Sequence, residues 1–394
     1  MRRVARACTS LRLVIGLLAQ GTQVVGGSTA VSAAVADDVA KAYDEDAVSR
    51  RAAAAVLGAL VADAATMGLH WIYDLSQIQK LLGKSEEPAF FEPPSCPYYE
   101  YESGVQSPYG DELMPVLQYM TSGPGGQQEG TLDGSGFAKF LAEFYRSYRG
   151  RLNKSSRAMM EAVLQGGRNW PECGDPRDSQ ANNFVKVVPI VARYAGQPGL
   201  VKAVDAAVRA QQNSDEAVAF AVAAALILER VVLGTHNVTA AVQWAAAGAE
   251  GSGTSLSRSA LEAVRAVLVQ HQAGTPMREL LYAPGSDSKP GRWGPSCANP
   301  GALQGALLAA IQASEAPQQE GGGSGGTAYA RGVRTNMLLG GDNCSRSVLL
   351  GALLAAQAGP AAIPSAWRSK TRSYDSSDVL VGQLLGFRAA ERRR

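Results

Sequence analysis

Histidine and cysteine are scarce in this sequence, which limits the kinds of metal site that it can hold. The 394 residues include three histidines, too few for a histidine-rich metal cluster. The five cysteines are scattered, odd in number and never arranged as a Cys-x-x-Cys pair, which argues against a disulfide framework and a zinc ribbon. Oxygen ligands are therefore the default for any metal, and the cysteine pattern mildly favours a reducing compartment.

An excess of charge of either sign is also missing. Lys and Arg total 37 against 35 for Asp and Glu, a net charge of +2. This balance gives no electrostatic reason to expect nucleic acid or an anionic membrane surface as a partner. After the N-terminal segment, no stretch is both free of charge and as long as the roughly 20 residues that a membrane span needs. We expect no membrane anchor.

Acidic residues are absent from the first 36 positions, where Arg2, Arg3, Arg6 and Arg12 lie among Ala, Ser and Thr. This composition predicts that residues 1–36 form a transit peptide for import into an organelle, a chloroplast or a mitochondrion. Secretion is the alternative, because residues 13–19 are apolar and residues 34–36 resemble a signal cleavage site.

Runs of alternating β-branched residues, which are typical of β-strands, are scarce. From about residue 50, apolar residues mostly follow helical spacing. The pattern is clearest at positions 137, 140, 141, 144, 145 and 148, which share one face of a helix. Similar Ala- and Leu-rich segments predict helices near residues 52–67, 201–212, 215–233, 239–248, 257–273, 300–314, 327–339 and 345–357. The sequence therefore predicts an all-α fold, with 46% hydrophobic residues to form its core.

Three stretches depart from the helical pattern. Residues 84–110 are rich in Pro, Tyr, Glu and Ser and predict a long loop of the kind that carries function, and residues 283–299 predict a second such loop. Residues 319–327 include a Gly/Ser tract that predicts a flexible, unstructured insertion.

Polar residues that can carry chemistry concentrate at two predicted helix starts. Gly340 and Gly341 allow a tight turn before Asp342, which can cap the following helix or take part in a site. Asp111 and Glu112 are adjacent carboxylates at a second loop-to-helix junction, where they can serve a cation or form a solvated helix start.

Asp63 is the third position of interest, because it lies within a predicted helix whose neighbours are nearly all apolar. A buried, isolated carboxylate costs several kcal/mol unless it is paired or hydrogen-bonded, so we expect Asp63 to have a dedicated partner.

Together, the motifs resemble those of the ADP-ribosylglycohydrolase superfamily. The segment at residues 62–66 is similar to the family's opening Gly-Asp-Ala-Leu-Gly, and residues 340–345 are similar to its closing Gly-Gly-Asp-Thr-Asp-Thr. The J-type crystallin branch shares GLHWIYD at residues 68–74, PPSCPYY at 93–99, SPYGD at 107–111 and GGDNCSR at 340–346. The resemblance implies one all-α ADP-ribosylglycohydrolase-like domain over residues 50–390.

In active members of the superfamily, two magnesium ions lie among oxygen ligands. Carried over by position, the resemblance assigns Asp111, Asp342 and Ser345 as metal ligands, with Glu112 as a further candidate. His70 stands where the family has a Glu, and Cys344 where it has an Asp. Because magnesium prefers near-octahedral oxygen ligands, we expect one magnesium ion or none, whereas His70 and Cys344 would suit a softer ion such as zinc.

Two functional hypotheses follow from the resemblance. The first is a metal-assisted hydrolase that cleaves the glycosidic bond of an ADP-ribosyl adduct, and the second is an inactive, crystallin-like nucleotide-binding or structural relative. For the first, the catalytic candidates are Asp111, Glu112 and Asp342, with Glu112 as the base. The candidates for contact with the ADP-ribose-like ligand or ADP-ribosylated substrate are Asn182, Ser296, Asn299, Gly340 and Gly341, and the helix start near Ser345 would face its phosphates.

Overall fold

The computed structural model describes residues 46–85, 87–121, 130–283, 293–316 and 326–392. Within these ranges the regular elements are helices, and the pairing of extended residues is limited to an isolated bridge between Ile72 and Gly341. The predicted all-α fold is confirmed.

The α-helices follow one another along the chain with mostly short connections. In chain order they are α1 (Ala47–Thr66), α2 (Leu75–Leu82), α3 (Pro108–Thr121), α4 (Gly134–Ser147), α5 (Lys154–Leu164), α6 (Asn182–Val185), α7 (Val187–Tyr194), α8 (Leu200–Arg209), α9 (Asp215–Leu233), α10 (Val238–Ala246), α11 (Arg258–Gln272), α12 (Met277–Tyr282), α13 (Gly301–Glu315), α14 (Ala328–Leu338), α15 (Asn343–Ala358), α16 (Ser365–Lys370) and α17 (Tyr374–Arg392).

Each segment for which apolar spacing predicted a helix is helical, with ends shifted by a few residues. In its described residues, the predicted loop at residues 84–110 is irregular until α3 begins at Pro108. Several helices lie outside the predicted segments, among them α5, α7 and α17; all residues of α7 are buried.

Helix α1 lies in the centre of the protein. The side chain of Asp46 caps its first turn by accepting hydrogen bonds from the backbone N–H groups of Val48 and Ser49. Together with the 3₁₀ turn that follows, the segment Ala47–Leu69 is long and apolar enough to cross a membrane, but its apolar window is entirely buried inside the protein. Its composition is that of a core helix.

Helices α1 and α15 pack against each other in opposite directions. Gly58 of α1 lies beside Ala355 of α15, whereas Thr66 at the end of α1 lies beside Cys344 at the start of α15. At the crossing, a Cβ atom added to Gly351 would lie 2.5 Å from the Cβ of Ala62 and 2.6 Å from the carbonyl oxygen of Gly58. The glycines therefore allow the two helix backbones to touch.

Some predictions concern residues outside the described ranges. The proposed targeting segment at residues 1–36 lies there, as does most of the Gly/Ser tract at residues 319–327, of which only the last two are described. Both remain predictions.

The helix crossing predicts a difference between two Gly→Ala substitutions. Gly351→Ala should lower the free energy of unfolding by about 1–3 kcal/mol, because the new methyl group meets the α1 backbone. Gly386→Ala in α17 is the matched control: a Cβ atom there meets nothing within 4 Å, so stability should rise by roughly 0.5–1 kcal/mol. Urea denaturation measures both, and equal effects would contradict the proposed close contact.

Candidate functional site

The candidate site forms where the end of α1 meets the start of α15. The chain leaves α1 through the 3₁₀ turn Met67–Leu69, and the next residues run beside the turn that precedes α15. The backbone N–H of Trp71 donates to the carbonyl of Gly341 at 2.9 Å, and the N–H of Gly341 donates to the carbonyl of Ile72 at 2.8 Å. As predicted, Gly340 and Gly341 make a tight turn, with φ of +59° and +58°.

The carboxylate of Asp342 is fully buried and bound by neighbouring side chains. One of its oxygens lies 3.0 Å from Nε2 of His70 and accepts a hydrogen bond of 2.7 Å from the indole N–H of Trp71. The hydroxyl of Ser345 donates to the other oxygen. We call Asp342, His70, Trp71, Ser345 and Tyr99 the Asp342 cluster.

Of the two roles considered for Asp342, capping of α15 or a part in a site, side-chain capping is not observed. Asp342 occupies the N-cap position, but its side chain accepts no hydrogen bond from a backbone N–H group of the first turn. The turn at Gly340 and Gly341 directs the carboxylate towards His70 and Trp71 instead, and these donors hold it there.

His70 connects Asp342 to the phenol of Tyr99. Burial lowers the pKa of His70, so its ring is neutral near pH 7. Burial alone would raise the pKa of Asp342, but hydrogen bonds from His70 and Ser345 and the charge of Arg346 hold it below the usual value. A neutral ring beside a carboxylate places the proton on Nε2, so Nδ1 accepts a hydrogen bond of 2.7 Å from the hydroxyl of Tyr99.

Trp71 covers the Asp342 cluster. Its backbone has φ of +57°, a left-handed conformation that a bulky side chain rarely adopts. In this conformation the indole stacks on the ring of His70, with 4.2 Å between centroids, while its N–H reaches Asp342. The hydrogen bonds of the Trp71 backbone and indole therefore hold a strained residue in place.

Glu112 lies in a second buried polar group, which we call the Glu112 network. One oxygen of Glu112 is 3.3 Å from Nζ of Lys186, a fully buried ammonium that also donates to the carbonyl of Asn182 at 2.6 Å. The other oxygen accepts hydrogen bonds from the side chains of Asn153, Asn182, Ser156 and Gln211. Protein donors thus surround the carboxylate that was predicted to act as a base.

Asp111 differs from its neighbour Glu112 in having an open oxygen. The hydroxyl of Tyr148 donates to one oxygen of Asp111 at 2.5 Å, and within the described part of the chain the other oxygen accepts no hydrogen bond. Burial raises the pKa of Asp111 to about 7, and the charge of Glu112 adds to this effect. The predicted position of both residues at a helix start is confirmed, since α3 begins at Pro108.

The expected partner of Asp63 is Ser107, at the start of α3. The backbone N–H and the hydroxyl of Ser107 donate to the two oxygens of Asp63 at 2.7 Å and 2.5 Å. Burial raises the pKa of Asp63 to about 7, although the hydrogen bonds from Ser107 oppose the shift. Asp63 therefore joins α1 to the helix that carries Asp111 and Glu112.

The candidates for ligand contact are held by other parts of the protein. Asn182 donates to Glu112 at 2.9 Å, and Asn299 donates to the carbonyl of Ser179 at 2.7 Å. Ser296 is half-buried, and its hydroxyl accepts a hydrogen bond of 3.4 Å from the N–H of Ala298 in its own loop.

The close approach at the two glycines is made by protein backbone. A Cβ atom on Gly340 would lie 2.6 Å from the carbonyl oxygen of Ile72, and one on Gly341 would meet Pro295. Substrate contact at all five positions, from Asn182 to Gly341, remains a prediction.

The residues do not fit the magnesium site that the resemblance implied. Magnesium needs several oxygen atoms free to coordinate it, whereas the oxygens of Asp342 and Glu112 face N–H and O–H donors. Cys344 lies 3.3 Å from the hydroxyl of Thr66, and burial raises its pKa well above the usual value, so it is a thiol. In the described ranges, no group of three His, Cys, Asp or Glu residues is placed to hold a metal ion.

The sequence analysis did not identify Trp71 and Lys186, which donate to these carboxylates, or Tyr99, which donates to His70. Trp71 and Tyr99 lie in two segments that resemble the family, at residues 68–74 and 93–99, and Lys186 follows the candidate Asn182 by four residues. The segments therefore marked the right region, but the roles of single residues depend on partners far away in the chain.

The Glu112 network predicts strong coupling between Glu112 and Lys186. Lys186→Met should lower the free energy of unfolding by about 3 kcal/mol or more, because it leaves a buried carboxylate without its cation. The double variant Glu112→Gln with Lys186→Met should lose clearly less than the sum of the two single variants. Additive losses in chemical denaturation would show that the pair is not coupled.

The raised pKa of Asp111 predicts a pH dependence of stability. The carboxyl binds its proton more tightly when folded, with a pKa of about 7 against 3.8 when unfolded. Its stabilising contribution is complete below pH 3.8 and is lost as the pH rises to 7. The stability of the wild type minus that of Asp111→Asn should therefore fall between pH 4 and 7 and level off above, and a constant difference in denaturation midpoints would contradict the shift.

Comparisons with known proteins agree with this fold. The chain is 28% identical to crystallin J1A of Tripedalia cystophora over 346 residues, covering 83% of this chain and 93% of that protein. Crystallin J1B of the same organism is 28% identical over 352 residues, covering 82% and 92%. A solved structure of an ADP-ribosylglycohydrolase-related protein complex matches with a TM-score of 0.58 at 17% identity, covering 86% of this chain and 98% of that one. The family model for ADP-ribosylglycohydrolase matches residues 44–393, and the chain belongs to this family.

Proposed function

We propose that this protein binds an ADP-ribose-like nucleotide and does not carry out metal-assisted hydrolysis of a glycosidic bond. The main support is the hydrogen bonding of Asp342, whose carboxylate is bound by His70, Trp71 and Ser345. A carboxylate has about four acceptor positions, and these donors use most of them.

The charges around the site support the same proposal. Lys186 neutralises Glu112 from within the protein, and the guanidinium of the fully buried Arg346 lowers the pKa of Asp342. These groups give the carboxylates the positive charge that a metal ion would otherwise provide. We therefore expect the fold and the site to be stable without a divalent cation.

The relatives support both parts of the proposal, a nucleotide as the ligand and a lack of catalytic turnover. The family takes its name from hydrolysis of ADP-ribosyl groups, which makes ADP-ribose the natural probe for a pocket. Two relatives that match most of the chain are named as crystallins, a name that describes a lens protein rather than an enzyme. Binding without hydrolysis fits both facts.

Hydrolysis without a metal is the second candidate, and Asp111 favours it. One oxygen of this half-buried carboxylate has no hydrogen bond from the described residues, and its pKa of about 7 suits a general base at neutral pH. In this case Asp111 would accept a proton from the water that attacks the anomeric carbon.

Calorimetry with ADP-ribose tests the proposal. We expect the wild type to bind ADP-ribose with the same affinity in EDTA and in magnesium chloride, and its melting temperature to be the same in both. The matched control is the double variant His70→Glu with Cys344→Asp, which restores two oxygen ligands that the family carries. In this variant, magnesium should raise the melting temperature, because the new carboxylates need a cation.

Turnover is measured in parallel as release of free ADP-ribose from ADP-ribosylated arginine and serine peptides. Release by the wild type that requires magnesium would overturn the proposal. Release that persists in EDTA and is lost in Asp111→Asn would establish the second candidate instead. Failure of the folded wild type to bind ADP-ribose would leave a structural role.

A further inference from the structure

A surface pocket lies beside the candidate site, between the end of α4 and the first turns of α5. Its volume is about 350 Å³, within the size range of pockets for small ligands. The lining residues are Gly150, Arg151, Leu152, Arg157, Met160 and Glu161. None of them belongs to the Asp342 cluster or to the Glu112 network.

Two arginines without anionic partners line the pocket. Arg151 and Arg157 are both exposed, and within the described part of the chain neither side chain forms an ion pair or a hydrogen bond. Most surface arginines gain little from being placed together, since like charges repel. Two unpaired guanidinium groups on one concave surface therefore form a positive site that an anion can neutralise.

Arg151 connects this pocket to the Asp342 cluster. Its guanidinium carbon lies 4.5 Å from the centre of the Trp71 ring and 5.7 Å from that of Tyr98. The same indole donates its N–H to Asp342 at 2.7 Å. One indole thus contacts both groups, with its face against Arg151 and its N–H on the carboxylate, and the stacking on Trp71 orients the Arg151 fork.

We propose that this pocket binds the phosphate groups of a nucleotide, with Arg151 and Arg157 as the cationic pair. The inference rests on the proposed function in taking an ADP-ribose-like molecule as the ligand. Guanidinium groups bind phosphate oxygens through paired, charge-assisted hydrogen bonds, and two such groups match the two charges of a diphosphate. Arg151 also lies 5.7 Å from the centre of the exposed Tyr98 ring, which offers a flat surface for the rest of the ligand.

The chemistry favours a small diphosphate over a longer polyanion. Glu161 also lines the pocket, and its carboxylate limits how much negative charge can be accommodated. The near-balanced charge of the whole chain, +2, provides no extended positive surface to hold a nucleic acid. A carboxylate at this position can instead accept a hydrogen bond from a sugar hydroxyl.

The experiment is calorimetric titration of the whole chain with inorganic pyrophosphate, ADP and ADP-ribose. Arg157→Ala and Arg151→Lys should each weaken the binding of all three by about tenfold, the second because lysine keeps the charge but lacks the planar fork. The matched control is Arg258→Ala, which removes an exposed arginine from the start of α11 and should leave affinity unchanged. Wild-type affinity for pyrophosphate should fall as salt concentration rises.

The outcomes separate this inference from the proposed function. If ADP-ribose binds equally well to the wild type and to both pocket variants, the phosphate site is wrong and the proposed function stands. If ADP-ribose and ADP do not bind but pyrophosphate does, and Arg157→Ala weakens it, the phosphate site stands and the proposed ligand is wrong. Equal weakening in Arg258→Ala would overturn the inference, because it would show a general charge effect.

Discussion

The antiparallel contact between α1 and α15 is the constraint on which the site depends. Gly58 and Gly351 let the two backbones touch, and this contact fixes how far each helix extends beside the other. As a result, the residues that follow α1 lie against the turn that precedes α15, and His70 reaches Asp342. A side chain at the crossing would separate the helices and disturb the site about two helical turns away.

The buried carboxylates next to this contact are satisfied by the protein itself. Asp63 accepts hydrogen bonds from Ser107, and Glu112 is paired with Lys186. Asp342 accepts hydrogen bonds from three side chains. Each arrangement offsets the large cost of removing a carboxylate from water. In a protein that holds a metal ion, the ion would offset part of that cost; here the protein's own donors do so.

Family membership and the chemistry of the site have to be considered separately. The match of the family model to residues 44–393 concerns the whole helical framework, which is built from packing that tolerates exchange of one apolar residue for another. The site is sensitive to single atoms, because replacing an oxygen ligand by an imidazole or a thiol changes which ion can bind. A conserved fold can therefore accompany altered chemistry.

The sequence by itself determined the all-α architecture, the long loop before α3 and the position of the glycine turn, because these depend on apolar spacing and on backbone freedom over a few neighbouring residues. It also indicated that Asp63 needs a partner, since the cost of burial follows from its apolar neighbours. Only the tertiary structure decided which partners the carboxylates have. Lys186 is 74 residues from Glu112, and His70 is 272 residues from Asp342. Such pairs arise from the packing of whole helices. A local sequence pattern therefore cannot predict whether a hydrogen-bond donor or a metal ion will contact a given carboxylate oxygen.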